Sequence, residues 1–329
     1  MATYYGTYGQ KVQYLASDPS DPQLGQVWYN STSAVLKVRA VSTTGTFASG
    51  GNLNNARQFG TGVGTQTAAL VAGGSPNPVG LAEIYNGTSW TAITDLPNYT
   101  ASGAGGAGTQ TSAVVFGGSD GNPTGSNSTR EWNGTSWSLE GNLNTRRMTM
   151  GGCGTQTAAL GFGGDTPPFN TNTTATESYN GSSWTSVNSM NTARRAMGGF
   201  GIQTAAIAAG GYTTTQVAST ESWNGTSWTS NPTGLNTARA SLAGGAGIQT
   251  AGLIMGGEAG PGNTGATELW NGSTWTSNPN SMSTVRYGSA NLGTQTAGLA
   301  AGGFTTVAVT TTEEFTGPGS ATTRTVTVS

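Results

Sequence analysis

The stretch Gly64-Thr-Gln-Thr-Ala-Ala-Leu70 decides the fold, because it is the first of six similar copies along the 329 residues. Each copy runs into a pair of glycines, from Gly73-Gly74 to Gly302-Gly303. Successive copies lie 44 to 47 residues apart, as measured between the invariant glutamines Gln66, Gln110, Gln156, Gln203, Gln249 and Gln295. A period this regular predicts a stack of equivalent units that differ mainly in loop length.

Each repeated unit contains the signals of four short strands. Small residues before the Gln, for example from Met197 to Gly201, predict a first strand, and an apolar stretch such as Ala205 to Ala209 predicts a second. The third strand ends at an aromatic residue that precedes Asn-Gly in most copies, and Asn-Gly is the strongest short signal for a hairpin. A tryptophan opens the fourth strand. Four strands in each of six units predict an all-β chain folded as a six-bladed β-propeller.

The Gly pair, an acidic residue, an aromatic residue and a later tryptophan form a pattern that resembles kelch repeats, from about Asn52 to the C-terminus. The resemblance implies a kelch-like propeller, but it does not imply a particular activity, because one fold hosts many functions. Gln-Thr before the second strand and Gly-Thr-Ser-Trp after the turn are unusually uniform between copies. This uniformity is most similar to the kelch-type proteins of tailed bacteriophages, which implies a virion protein of the tail-fibre-associated type.

The recurring Gln and Trp residues allow two interpretations each. We expect every Gln to bond the backbone of a neighbouring blade, since an amide buried in each copy needs partners in each copy; the alternative is that the glutamines line a channel mouth. We expect the tryptophans to pack between blades, where an aromatic ring buries a large area, and the alternative is an exposed platform for glycan. These residues are Trp90, Trp137, Trp184, Trp228 and Trp275.

A recurring Glu and a recurring Arg predict one structural ion pair at each blade interface. A catalytic pair of carboxylates would instead occur once, in two unequal environments. The second copy departs from the pattern, with Arg130 in the acidic place and Glu131 after it. The acids are Glu83, Glu177, Glu221, Glu268 and Glu313, and the cations are Arg57, Arg147, Arg194, Arg239 and Arg286.

Residues 1–45 are predicted to form an N-terminal arm and hairpin that act as a docking segment, and residues 46–329 the propeller. The hairpin, from Gln26 to Val38, resembles one found near the start of many phage fibre and appendage proteins. It either completes the ring or belongs to a separate docking piece, and we favour the second because Arg324 to Ser329 alternates like a strand and can supply the last blade's outer strand. A disordered tail is the alternative for the arm. The candidate docking residues are Tyr4, Tyr5, Tyr8, Tyr14, Trp28 and Tyr29.

The loops between the Gly pairs and the third strands vary most between copies. Variable loops on a rigid scaffold are where binding usually resides, so we expect the ligand there. The candidate ligand residues are Asp120, Asn122, Asp165, Phe169, Asn170, Tyr212, Glu258 and Asn263.

The sequence lacks several kinds of functional residue. It has no histidine, the commonest general base and metal ligand, and no nucleotide-binding or calcium-loop motif, so we expect no catalytic residue, cofactor or metal. A net charge of −2 and the scattered arginines predict no nucleic-acid partner. No signal peptide and no run of apolar residues long enough to span a membrane are visible. We therefore expect synthesis in a host cytoplasm, no membrane insertion, and a final location in the virion.

These expectations combine into a non-enzymatic structural protein of a phage virion. It is expected in many copies on a tail fibre or appendage, joined to other virion proteins through its N-terminal segment and contacting host-surface glycan. One alternative is a capsid, neck or tail decoration protein without host contact. Another is a carbohydrate-active enzyme, which would depend on the unrepeated acids Asp95, Asp120, Asp165, Glu140 and Glu258.

Overall fold

The computed structural model describes residues 12–42, 44–76, 80–97, 101–119, 125–168, 171–319 and 321–326. These residues form strands, turns and isolated bridges, and none of them belongs to a helix long and apolar enough to span a membrane. The chain divides into a larger unit, Thr46–Phe315, and a smaller unit, Met1–Gly45 with Thr316–Ser329. Seven candidate residues lie outside the described residues, namely Tyr4, Tyr5, Tyr8, Asp120, Asn122, Phe169 and Asn170.

The first strands of the described chain are β1 (Gln13–Leu15), β2 (Val27–Asn30), β3 (Val35–Val41) and β4 (Thr46–Ser49). Sheet 1 contains β5 (Thr61–Thr65), β6 (Ala68–Ala72), β7 (Gly80–Tyr85) and β8 (Trp90–Leu96). Sheet 2 contains β9 (Gly105–Thr109), β10 (Ser112–Phe116), β11 (Thr129–Trp132) and β12 (Trp137–Glu140). Sheet 3 contains β13 (Gly151–Thr155), β14 (Ala158–Phe162), β17 (Thr176–Tyr179) and β18 (Trp184–Val187), with a short hairpin of β15 (Asp165–Thr166) and β16 (Thr171–Asn172) between them.

Sheet 4 contains β19 (Gly198–Ile202), β20 (Ala205–Ala209), β21 (Thr220–Trp223) and β22 (Trp228–Ser230). Sheet 5 contains β23 (Ala246–Ile248), β24 (Ala251–Met255), β27 (Thr267–Trp270) and β28 (Trp275–Ser277), with a hairpin of β25 (Glu258–Ala259) and β26 (Gly262–Asn263). Sheet 6 contains β29 (Ala290–Gly293), β30 (Ala297–Ala301), β31 (Thr312–Thr316) and β4, and the last strand of the described chain is β32 (Ala321–Thr325). The sequence places the second strand of sheet 4 correctly, and its first strand begins one residue later than predicted.

The first strands of the six sheets are neighbours in a closed order. Strands β5, β9, β13, β19, β23 and β29 follow one another side by side, and β29 lies next to β5. Glycines permit this approach: a Cβ atom on Gly152 would lie 2.7 Å from the backbone N of Gly106, and one on Gly106 would lie 2.2 Å from Cγ2 of Thr61. A glycine inside a strand is typical of such a close backbone contact. The small residues before each Gln are therefore needed where the sheets converge.

The outer strand of sheet 6 is β4, which precedes the first repeat in the chain. The expectation that Arg324 to Ser329 supplies this strand is wrong. The ring centroids of Phe47 in β4 and Phe315 in β31 are 5.0 Å apart. In other sheets the tryptophan that opens the fourth strand lies beside the aromatic residue of the third strand in the same way, as Trp184 does beside Tyr179 at 4.9 Å. The apolar contact of Phe47 selects β4 as the partner of the last repeat.

The smaller unit is a four-stranded sheet in the order β1, β2, β3 and β32. Strand β32 pairs with β3 in antiparallel register, with Val38 opposite Arg324, while β1 is parallel to β2. The predicted hairpin of residues 26 to 38 is therefore present as β2 and β3, but it does not complete the ring. Its partner is the C-terminal strand, so residues near both ends of the chain share one sheet.

Candidate functional site

Each repeated Gln bonds two backbone carbonyls of the preceding sheet. The Nε2 of Gln203 donates to Ala159 O at 3.1 Å and to Tyr179 O at 2.5 Å, which lie on the second and third strands of sheet 3. The other five glutamines repeat this geometry, with Gln66 reaching sheet 6. Because the amide donors are used inside the scaffold, the glutamines act as clamps between sheets.

The tryptophans that open the fourth strands also join neighbouring sheets. The indole Nε1 of Trp228 donates to Thr176 Oγ1 at 3.0 Å. The same bond, to a threonine on the third strand of the preceding sheet in the closed order, is made by Trp90, Trp184 and Trp275. These four rings are buried. Trp137 is half-buried, and its Nε1 donates to the backbone O of Thr94 at 2.8 Å. The four buried rings therefore have no surface for a ligand.

Five buried ion pairs occur at the predicted Arg and Glu positions. Arg147 Nη2 lies 3.0 Å from Glu177 Oε1, and the corresponding distance from Arg194 Nη1 to Glu221 Oε1 is 2.8 Å. Burial lowers the pKa of Arg147 to about 10, and the charge of Glu177 opposes this shift. Each glutamate also accepts backbone N–H groups of the segment that precedes the arginine, such as Asn191 N at 2.7 Å. The remaining pairs are Arg57–Glu83, Arg239–Glu268 and Arg286–Glu313.

The larger unit has one face that carries the residues following the Gly pairs, which we call the rim face. Each such residue forms an isolated antiparallel bridge with the residue after the repeated Arg or its equivalent, as Tyr212 does with Arg195. The rim-face residues after the Gly pairs are Ser75, Ser119, Asp165, Tyr212, Glu258 and Phe304, and their bridge partners are Gln58, Ser102, Met148, Arg195, Ala240 and Tyr287. The loops predicted to bind a ligand therefore begin on this face.

A belt of backbone hydrogen bonds joins the sheets just inside these bridges. Gly103 N donates to Phe59 O at 2.9 Å, Phe59 N to Gly288 O at 2.7 Å, and Gly288 N to Ser241 O at 2.8 Å. Phe59 and Ser241 have positive φ angles of 55° and 56°, a conformation that costs a non-glycine residue about 1 kcal/mol. The bonds between sheets offset this cost and fix the position of the side chains on the belt.

An aromatic cluster lies on the rim face where sheet 6 meets sheet 1. The Tyr287 ring lies 5.7 Å from the Phe59 ring and 5.2 Å from the Phe304 ring, between centroids. All three side chains are partly exposed. Sequence reasoning missed all three, although they stand out as large apolar residues at positions that differ from copy to copy in a uniform repeat.

The candidate ligand residues within the described chain have different surroundings. Tyr212 is partly exposed, with the Arg195 guanidinium carbon 4.7 Å from its ring centroid. Glu258 is partly exposed, and its Oε2 accepts a hydrogen bond from Ser241 Oγ at 3.3 Å. Asn263 bonds the backbone of the next sheet, and Asp165 is buried. Tyr212 and Glu258 are therefore available to a ligand, whereas Asp165 is withdrawn from the surface.

The first strands enclose a central cavity of about 130 Å³. Its lining is mostly glycine and alanine from all six sheets, together with Cys153 and Asn291. Burial raises the pKa of the Cys153 thiol to about 12, so it is protonated at neutral pH. The amide of Asn291 donates to Met255 O at 3.1 Å. The lining residues that the structure describes include no charged side chain, so the cavity wall offers no charged group for catalysis.

The unrepeated acids within the described residues lie on separate elements. Asp95 is exposed on β8, Glu140 is at the end of β12, and Asp165 and Glu258 follow the Gly pairs of sheets 3 and 5. Among the described residues no group of three Asp, Glu, Cys or His side chains could hold a metal ion.

The docking candidates of the smaller unit fall into two groups. Trp28 is 0% exposed, and its Nε1 donates to Asp18 Oδ1 at 3.0 Å. Trp28 is therefore corrected from a docking residue to a core residue, because its ring has no surface to offer a partner. Tyr14 is 76% exposed and stacks on the Tyr29 ring at 5.1 Å.

The closed order of four-stranded sheets in the larger unit makes the chain an all-β protein with a propeller-like fold. The chain is similar to the solved structure titled "Structure of YjhT", with a TM-score of 0.67 and 14% sequence identity, covering 79% of this chain and 95% of that chain. At this identity the likeness shows the fold alone. No protein-family model matches the chain. No curated protein matches it either.

Proposed function

We propose that the chain is a six-bladed, kelch-like propeller and a non-enzymatic structural protein of a tailed-phage virion, displayed in many copies on a tail fibre or appendage and contacting host-surface glycan through the rim face. One observation carries the glycan contact. The repeated Gln, Trp, Arg and Glu side chains are used within the scaffold, whereas the half-exposed residues that break the repeat, such as Tyr212, Glu258, Tyr287 and Phe304, lie on one face.

Half-exposed aromatic rings beside polar groups suit a carbohydrate ligand. An aromatic ring can pack against the apolar face of a sugar, while a carboxylate accepts hydrogen bonds from its hydroxyl groups. A single shallow contact of this kind is weak, and many copies on one particle would raise the overall affinity through multivalency. Display in many copies on a virion would therefore compensate for a weak individual contact.

The six four-stranded sheets and the closed order of their first strands support six blades. The use of the repeated glutamates in buried ion pairs within the scaffold supports a non-enzymatic role, because a general acid or base must be able to reach its substrate. Incubation of the protein with host polysaccharide, followed by a reducing-end assay, tests this. Turnover that disappears on one acidic substitution would establish an enzyme instead.

The smaller unit is the proposed attachment segment. Tyr14 is largely exposed on β1, an edge strand of the four-stranded sheet, and stacks on Tyr29. An edge strand presents unpaired backbone groups that can pair with another chain. Other virion proteins are the proposed partners.

Electron microscopy of particles labelled with an antibody to this chain tests the location. Label on fibres or appendages is the expected result. Label spread over the shell or confined to the neck would replace the fibre proposal with a decoration role. Absence of the chain from purified particles would remove the virion proposal.

A further inference from the structure

Two pairs of neighbouring sheets carry the same device on the rim face, in which an Asn of a short hairpin fixes the aromatic loop of the next sheet. Asn172 of β16 donates its Nδ2 to Tyr212 O at 3.0 Å and Thr213 O at 2.8 Å. Asn263 of β26 donates to Phe304 O and Thr305 O, both at 3.0 Å. The backbone of both aromatic residues is therefore held in place before any ligand arrives, which reduces the entropy lost on binding.

The first pair, between sheets 3 and 4, supplies its own cation to the aromatic ring. The Arg195 guanidinium lies over Tyr212, and Arg195 Nη1 donates to Asn172 Oδ1 at 3.1 Å. A cation over a ring face is attracted by the negative charge of the π system. One face of the Tyr212 ring is thus already partnered within the protein.

The second pair, between sheets 5 and 6, has an aromatic residue in place of that arginine. Tyr287 bridges Phe304 as Arg195 bridges Tyr212, and the Phe59 ring adds a third aromatic surface. This cluster offers ring faces comparable to that of Tyr212. Tyr287 stands where the first pair has Arg195, so the bridge to Phe304 brings an aromatic ring and not a cation.

Glu258 is anchored to this cluster from two sides. It pairs with Asn263, which bonds the backbone of Phe304, and it accepts a hydrogen bond from Ser241, whose carbonyl bonds the N–H of Gly288 beside Tyr287. Burial and then the Glu258 charge raise the pKa of the Tyr287 hydroxyl. No Arg or Lys within the described ranges forms an ion pair with Glu258.

We propose that Phe59, Tyr287, Phe304 and Glu258 form a subsite for a sugar ring bearing a positively charged amino group, such as a hexosamine unit of a polysaccharide. The inference rests on the proposed glycan contact and names its ligand class. The rings pack on the apolar face of the sugar and attract the ammonium group, and the carboxylate supplies the opposite charge that the first pair does not need.

The test is titration calorimetry of the full chain with glucosamine oligomers, N-acetylglucosamine oligomers and glucose oligomers of equal length. We expect the charged oligomer to bind about tenfold more tightly than the neutral ones at low salt, which corresponds to about 1.4 kcal/mol. High salt should remove this preference. Glu258→Gln should abolish the preference, and Phe304→Ala should weaken binding of all three oligomers. Glu140→Gln is the matched control, because it removes a half-buried carboxylate at the end of β12 on another sheet, and it should leave binding unchanged.

The outcomes separate the two proposals. Equal binding of charged and neutral oligomers, unaffected by salt or by Glu258→Gln, would overturn the amino-sugar inference while the glycan contact stands. A charged preference that persists in Glu258→Gln, or that is lost in Glu140→Gln, would place the site elsewhere and overturn the inference. If a folded protein binds none of the host's polysaccharides or these oligomers, both proposals fail.

Discussion

At the scale of single residues, the chain separates the groups that build the scaffold from those that face solvent. Glu221 is 1% exposed and accepts hydrogen bonds from Arg194, Asn191 N and Thr192 N. A carboxylate taken out of water is tolerated only when it is paired and fully hydrogen-bonded. A residue of this kind is fixed by the scaffold, so we expect the proposed ligand contact at positions outside the repeat.

Glu221→Gln should therefore destabilise the protein strongly, because it leaves the Arg194 charge buried without its partner. We expect the free energy of unfolding to fall by about 3 to 5 kcal/mol, measured by urea denaturation. Glu140→Gln, at a half-buried position at the end of β12, is the control and should change it by less than about 0.5 kcal/mol. Similar values for the two variants would contradict a structural role for the buried pair.

At the scale of elements, the C-terminal strand joins a different sheet from the one that the sequence suggests. The C-terminal segment does form a strand, β32, but its partner is β3, and β4 completes sheet 6. Alternation of valines predicts a strand and says nothing about which edge it joins. The missed signal was Phe47, which stands six residues before Leu53, as Trp137 stands six before Leu143 and Trp184 six before Met190.

Phe47→Ala tests the assignment of β4 to sheet 6. Loss of the contact with Phe315 should lower the free energy of unfolding of the larger unit by roughly 2 to 3 kcal/mol. Replacing a fully buried aromatic residue by alanine costs about 3 to 5 kcal/mol, and we expect less here because Phe47 is only partly buried. Phe47→Trp, which introduces the residue used by other sheets, should retain most of the stability. Truncation after Gly319 removes β32 and should leave the unfolding of the larger unit unchanged, as followed by urea denaturation. The reverse pattern would return the outer strand to the C-terminus.

Asp18 gives the smaller unit a dependence on pH. Its pKa is lowered from 3.8 to about 2 by hydrogen bonds from Lys37, then Asn30, then Trp28. Because the pKa is lower in the folded state, ionised Asp18 stabilises the unit above pH 3.8, and this contribution disappears as the pH falls through about 2. The Trp28 indole N–H signal in NMR spectra should therefore shift between pH 4 and 2, a change that Asp18→Asn should remove. A midpoint at or above 3.8 would contradict the bonding described.

The sequence predicts the repeated scaffold well and the candidate site only in part. Gln203 and Trp228 were interpretable because six or five equivalent copies share one environment, so a pattern reports a contact. Phe59, Tyr287 and Phe304 have no such repetition, and the proximity of Phe59 to Tyr287 depends on sheet 6 lying beside sheet 1. Likewise, the withdrawal of Asp165 from the surface follows from local packing that residue type alone does not show.

At the scale of the whole molecule, the two compact units allow the proposed binding and the proposed attachment to be tested separately. The larger unit, Thr46–Phe315, contains sheets 1 to 6, including the strand that completes sheet 6, and the entire aromatic cluster. The smaller unit contains Tyr14, Tyr29 and the sheet that joins residues near both chain ends. Sheets 1 to 6 lie in the larger unit, and the sheet of β1, β2, β3 and β32 lies in the smaller unit. We therefore expect each proposed function to remain with its own unit.

A fragment of residues 46–315 should consequently fold on its own, with a far-UV circular dichroism spectrum of β structure and a cooperative urea transition. If the glycan proposal is right, it should bind host polysaccharide as tightly as the full chain, because Phe59, Glu258, Tyr287 and Phe304 are all retained. When it replaces the full chain during particle assembly, it should be absent from purified virions. Normal incorporation of the fragment would refute the docking role of the smaller unit, and a folded fragment without polysaccharide binding would place the glycan contact outside the rim face.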